Sequence, residues 1–161
     1  METIPILESL RTLIWSCLKG WIGIRFPHVS SMDAEQLKAL LEQGSGTDLL
    51  ILDVRSPAEF SCSHLPHAVS IESGLIQGIQ DLEGVAGSRT RPILVYCSVG
   101  VRSAKAVLEL QKRGFERVTH LEGGVFEWVN RGHSLVHQGQ PTDKVHPYNR
   151  LWGLLLKTSE G

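Results

Sequence analysis

An open α/β sheet, mainly parallel and covered by helices on both faces, is the fold that three observations on this 161-residue chain predict. First, residues 49–54 and 93–96 are continuous apolar runs, interrupted only by Asp53, as in strands buried on both faces of a parallel sheet. Second, segments with helical period follow such runs, so strands and helices alternate along the chain. Third, 42% hydrophobic and 20% charged residues are the balance of an ordinary globular chain with one core.

The elements follow in order. Residues 1–25 carry Ile6, Leu7, Leu10, Leu13, Ile14, Cys17, Leu18, Trp21 and Ile22, the stripe of an amphipathic helix. The stripe is expected to dock on the domain's own core. The alternative is a surface for a membrane or partner anchored by Trp15 and Trp21. A short extended piece is expected at 28–30. A helix over 33–43 follows, capped by Ser30 with Asp33, buried through Leu37, Leu40 and Leu41, and stopped by Gly44. The apolar run ending at Tyr96 leads into Cys97 and a helix over 102–113, where Ala104, Val107 and Leu108 face the core and Gly114 ends it. Residues 118–121 form a further strand, and Gly123-Gly124 precedes a helix bearing Phe126 and Trp128. The segment 135–161, with His146-Pro147-Tyr148 and apolar residues 151–156, is expected to pack against the N-terminal helix, within one chain or across a homodimer.

Several function classes are disfavoured. The net charge of −1 and the lack of a Lys/Arg run argue against nucleic acid as primary partner. The apolar stretch at 4–22 is broken by Glu8, Arg11 and Lys19, so neither a membrane span nor a signal peptide is expected and the chain reads as cytoplasmic. Cys17, Cys62 and Cys97 are too few and too scattered for a disulfide framework, and neither a metal site nor a cofactor is expected.

Chemistry is expected at Cys97. Ligands of an open parallel sheet bind outside the carboxyl ends of its strands, and Cys97 stands at one such end just before a helix. Ser98, Val99, Gly100 and Val101 form a loop short enough to curl its backbone N–H groups around an anion, with Gly100 supplying the freedom the curl needs. The helix N-terminus and Arg102 add positive charge. The same features stabilise a thiolate, which is the nucleophilic form of cysteine.

Three blocks now make the chain resemble the rhodanese family of sulfurtransferases over about residues 28–134. They are Asp53-Val54-Arg55 with Glu59-Phe60 and His64-Leu65-Pro66, the loop from Cys97 to Ser103, and Gly114-Phe115 with Leu121-Glu122-Gly123-Gly124 and Trp128. The resemblance implies a rhodanese-like domain with extra N- and C-terminal apolar helical segments. It also implies that Cys97 takes the outer sulfur of a small anionic donor such as thiosulfate, releases sulfite, and passes the sulfur from a persulfide to a thiol or protein acceptor. Ser98 to Arg102 would hold the donor, while Asp53, Arg55, Glu59 and His64 would brace the surroundings. Ser98 stands where the family often has Arg, which removes one anion contact. Ser63 and His67 stand where it has small residues, and Cys62 is expected to be an inert thiol. Two rivals remain. One is a phosphatase or arsenate reductase, disfavoured because four residues rather than five separate Cys97 from Arg102. The other is a non-catalytic rhodanese-like interaction module, disfavoured by the presence of Cys97 in a complete loop.

Overall fold

Strands β1 (Ser30–Met32), β2 (Leu50–Asp53), β3 (Val69–Ser70), β4 (Ile93–Tyr96) and β5 (Val118–Leu121) form one parallel sheet in the order β1-β5-β4-β2-β3. The structure, a computed structural model, describes residues 3–44, 48–71 and 79–157. The first two residues of the segment 1–25 and the last four of the segment 135–161 lie outside these. β2 and β4 pair from Leu50 with Ile93 to Asp53 with Tyr96, which sets Cys97 just beyond the sheet's carboxyl edge.

Alternation along β2 and β4 explains why both runs are apolar throughout. Leu50, Leu52, Ile93 and Val95 face one side, where they meet Leu82 and Ala86 of α4 (Ile79–Ala86) and Ala106, Val107 and Leu110 of α5 (Val101–Lys112). Ile51, Leu94 and Tyr96 face the other side. There they meet Ala34 and Leu37 of α2 (Ala34–Glu42), and Val125, Phe126 and Trp128 of α6 (Gly124–Asn130). Every side chain named here is buried, and such a two-faced core is what a parallel sheet requires.

Local chemistry sets the element ends. Asp33 caps α2 alone, accepting from the Gln36 amide at 2.8 Å, while the Gln36 side chain accepts from the Asp33 amide at 3.0 Å. Ser30 belongs to β1, so the first extended piece covers 30–32 and not 28–30. Five elements are not predicted from the sequence: α3 (Pro57–Cys62), β3, α4, and the strands β6 (Leu135–His137) and β7 (Gln140–Thr142) of a hairpin.

Helix α1 (Thr3–Arg25) corrects the expected docking stripe. Its inward face is Trp15, Leu18, Ile22 and then Phe26, which reach the core beside Ala104 and Val101. Ile6, Leu7, Leu10, Leu13, Ile14 and Trp21 are exposed, and so is Cys17. The helix is apolar on most of its circumference, and only one sector finds the domain. Along this sector Arg11 and Trp15 donate to the carbonyls of Leu154 and Leu155, just after α7 (Arg150–Gly153) and inside the C-terminal segment.

At the end of β2, Asp53 and Arg55 form a wholly buried pair, with Nε to Oδ1 at 3.0 Å and Nη2 to Oδ2 at 2.7 Å. Arg55 also donates to the Ser63 carbonyl at 2.7 Å and lies over the Tyr96 ring, tying β2 to the end of α3 and to β4. Removing one partner strands a buried charge. Asp53→Ala is therefore expected to lower stability by roughly 3–5 kcal/mol, measured as a shift of the urea unfolding midpoint at unchanged slope.

Candidate active site

β4 delivers Cys97 to the floor of a tight loop. Gly100, at φ 111°, caps α5, and its N–H donates to Cys97 Sγ at 3.1 Å. A side chain at this backbone angle would be strained. The sulfur is therefore held within the first turn of α5, where the helix presents its unpaired amides. Cys97, Ser98, Val99 and Gly100 are all buried, and Val101 begins the helix.

The loop is braced from behind by α6. The amides of Val125 and Phe126 donate to the carbonyls of Cys97 and Ser98, each at 3.0 Å. This satisfies the two carbonyls that open the loop. Gly124 permits the approach, because a Cβ there would stand 2.4 Å from the Cys97 oxygen and 2.5 Å from that of Ser98. The closing Gly-Gly thus belongs to the site, a role that needs the fold to be seen.

In front, Glu59 gathers the loop. Its Oε1 accepts from Ser98 Oγ at 2.9 Å and Arg102 Nη2 at 2.8 Å, and its Oε2 accepts from Arg102 Nη1 at 2.9 Å. Oε2 also accepts from the amide and hydroxyl of Ser56, closing a capping box at the start of α3. Burial by itself would push this carboxyl up. The hydrogen bonds from Arg102, Ser56 and Ser98, with the Arg102 charge, outweigh it and hold Glu59 at about 2. Arg102, expected to face an anion, turns its fork onto Glu59 here. Ser98 spends its hydroxyl on the same pair, accepting from Arg102 Nη2 at 2.9 Å. Tyr148, from the C-terminal segment, lies over the Arg102 guanidinium at 4.7 Å.

Two further residues meet the sulfur. Ser103 Oγ stands 3.6 Å from Cys97 Sγ, 3.1 Å from the Gly100 carbonyl to which it donates, and 3.4 Å from His120 Nδ1. Burial lowers the His120 pKa, opposed by the charge of Glu122, which favours the neutral ring. Ser103 stood in the loop motif without a role, and His120 on β5 is identifiable only once β5 pairs with β4.

The remaining candidates stand further back. Asp53 and Arg55 hold the strand end, and His64 pairs its backbone with Val136 of β6 and stacks on Phe60 at 4.1 Å. His67 is exposed at φ 62°, a turn position. Ser63 is buried and donates to the Lys144 carbonyl at 2.6 Å. Among the described residues there is no group of His, Cys, Asp and Glu able to hold a metal ion.

Because the folded Glu59 carboxyl lies below its ordinary 4.5, its stabilising contribution is present above about pH 4.5 and is lost as pH falls toward 2. The stability gap between wild type and Glu59→Gln is expected to be on the order of 3 kcal/mol at pH 7. Denaturant titrations across acidic pH should show that gap closing toward pH 2.

Comparison with known proteins bears on the whole arrangement. The profile of the Rhodanese-like domain family matches residues 33–131. "Probable adenylyltransferase/sulfurtransferase MoeZ" of Mycobacterium tuberculosis is 34% identical over 102 residues, covering 63% of this chain and 25% of that protein. This chain therefore spans about a quarter of the MoeZ length. A protein named Sulfurtransferase from Allochromatium vinosum is 31% identical over 67% of this chain and 95% of the relative. The crystal structure of thiosulfate sulfurtransferase from Pseudomonas aeruginosa superposes with a TM-score of 0.64 at 25% identity, over 76% of this chain and 23% of that one. With its sheet order, its Cys97 loop and a profile match across most of its length, this chain belongs to the rhodanese-like domain family.

Proposed function

We propose that this protein is a sulfurtransferase that carries a sulfane sulfur as a persulfide on Cys97. The observation that carries the reading is the cradle around one sulfur, made of the Gly100 N–H at 3.1 Å, the first turn of α5 and the Ser103 hydroxyl. The N–H and the helix end favour negative charge at Sγ or at a sulfur bonded to it. The Ser103 hydroxyl, which accepts from the thiol and donates to the Gly100 carbonyl, does so once its proton turns to the sulfur. The donor is a small anion with a weak S–S bond, thiosulfate being the simplest. The Cys97 thiolate attacks the outer sulfur, a new S–S bond forms, and the old bond's electron pair leaves with sulfite. A thiol or protein acceptor then attacks the outer sulfur of the persulfide and returns Cys97 as thiolate. No oxidant or metal enters this balance.

Ser103 has one proton and three neighbours, namely Sγ, the Gly100 carbonyl and His120 Nδ1. Turning that proton from the carbonyl to the sulfur would follow the charge as it develops, while neutral His120 keeps the hydroxyl in place. Arg102 contributes through the field it casts on Cys97 while its fork stays on Glu59. A reducing, cytoplasmic setting suits the reading, since Cys17, Cys62 and Cys97 are all free.

Intact-protein mass spectrometry after incubation with thiosulfate should show one added sulfur on wild type and none on Cys97→Ser. Wild type that stays folded and reduced yet gains no sulfur would remove thiosulfate as donor and, with other sulfane donors equally silent, the reading itself. Ser103→Ala should slow persulfide formation by about tenfold to a hundredfold, since a hydrogen bond to a charged group is lost. Stopped-flow measurement of sulfite release would read that rate directly.

A further inference from the structure

The C-terminal segment sends one aromatic ring back to the active site. Tyr148 stands between β7 and α7, beyond residue 131 where the family match ends. Its ring lies over the Arg102 guanidinium at 4.7 Å, within reach of the attraction between a cation and a ring face. Glu59 and Ser98 hold the fork of the same guanidinium. Arg102 is thus held by its fork and covered by the ring, and 29% of its side chain stays exposed.

The backbone bends to bring the ring there. Tyr148 has φ 64°, in the left-handed region that a bulky side chain seldom adopts. The Asn149 amide donates to the Pro147 carbonyl at 2.7 Å, closing a three-residue turn around Tyr148. The Tyr148 amide donates to His146 Nδ1 at 3.0 Å. Both flanks of the turn are anchored. The Lys144 carbonyl accepts from the buried Ser63 hydroxyl at 2.6 Å, and Asn149 Oδ1 caps α7 by accepting from the Trp152 amide at 3.0 Å. Burial does little to offset the bend, because Tyr148 remains 49% exposed. What the bend achieves is the contact with Arg102. Backbone outliers of this kind persist where the surroundings fix them, and they gather at working sites.

We infer that Tyr148 is a positioning residue for Cys97 that acts through Arg102: its ring holds the guanidinium on Glu59 and keeps water from it, which strengthens the pull of the cation on the sulfur. The role rests on Cys97 being the reacting sulfur of the sulfurtransferase proposed above. Its physical basis is the dielectric. A charge acts on its neighbour more strongly as water around the pair is replaced by protein. Arg102, whose charge is felt at Cys97, has one open side, and the ring occupies part of it. Without the ring the guanidinium hydrates, and its fork is free to leave Glu59. The ring face carries the effect, so the hydroxyl is dispensable.

The rate at which iodoacetamide alkylates Cys97 in the full chain at neutral pH tests this. It is followed by mass spectrometry on the peptide that contains Cys97, since Cys17 and Cys62 are also free. Tyr148→Ala should slow the reaction by about twofold to fivefold, the size of one such contact at a half-exposed site. Tyr148→Phe should react at the wild-type rate. In an Arg102→Gln background, which keeps a partner for Glu59 but lacks the charge, Tyr148→Ala should produce no further slowing. A rate for Tyr148→Ala equal to or above wild type would overturn the inference. So would a Tyr148→Phe chain as slow as Tyr148→Ala, or the same slowing in the Arg102→Gln background. Iodoacetamide donates no sulfur. A chain that takes no sulfur from thiosulfate yet shows the expected pattern would therefore lose the sulfurtransferase reading and keep the role of Tyr148.

Discussion

One buried carboxylate holds the reactive end of this molecule together. Glu59 accepts from the amide and hydroxyl of Ser56, from Ser98 in the loop, and twice from Arg102 on α5. These groups come from two separate stretches of chain, and a carboxylate is one of few side chains with enough lone pairs to serve them all. Its charge also answers that of Arg102 in a place with little water. If Glu59 is taken away, α3 loses its cap, Ser98 loses its acceptor and Arg102 is left as a half-buried cation. The loop geometry at Cys97 depends on all three.

A second constraint acts from the opposite side. α6 approaches so closely that only a glycine fits at position 124, and its first amides fasten the carbonyls of Cys97 and Ser98. The loop is thereby clamped between a carboxylate in front and a helix end behind. On the inner side of the loop the Gly100 amide points at the sulfur. Held from both sides, the loop keeps one shape around Cys97. Sulfur at Cys97 is thus met by groups already in position.

Much of this was legible in the residues. The runs around β2 and β4 predict buried strands because nothing polar interrupts them except Asp53, whose charge turns out to be neutralised by Arg55. Gly114 ends α5, at φ 87°, and Gly100 begins it, both for reasons of backbone angle that a sequence displays. Ser56-Pro57-Ala58-Glu59 is an open helix-start signal, with Ser at the cap, Pro next and Glu two residues later, and it went unread because Glu59 was taken only as part of a motif. Other features could not be read in one dimension. Period cannot choose which sector of an all-round apolar helix docks, so the facing of α1 waited on the position of Ala104. Arg102 could point at an anion or at a carboxylate, and forty-odd residues separate it from the carboxylate that captures it. β3 has two residues and exists through its neighbour β2.

The strand order has a consequence for how the protein is made. Among the described residues β1 pairs with β5 alone, and β5 lies between it and β4. Residues 125 and 126, whose amides fasten the loop, come later still. As the chain leaves the ribosome, Cys97 emerges after Glu59 but before Val125 and Phe126, which fasten its loop from behind. During that interval its loop stands in an unfinished sheet, without the bonds from α6 to the Cys97 and Ser98 carbonyls. The loop around Cys97 is therefore completed by residues made after it, and a chain cut before α6 carries the cysteine without the Val125 and Phe126 bonds.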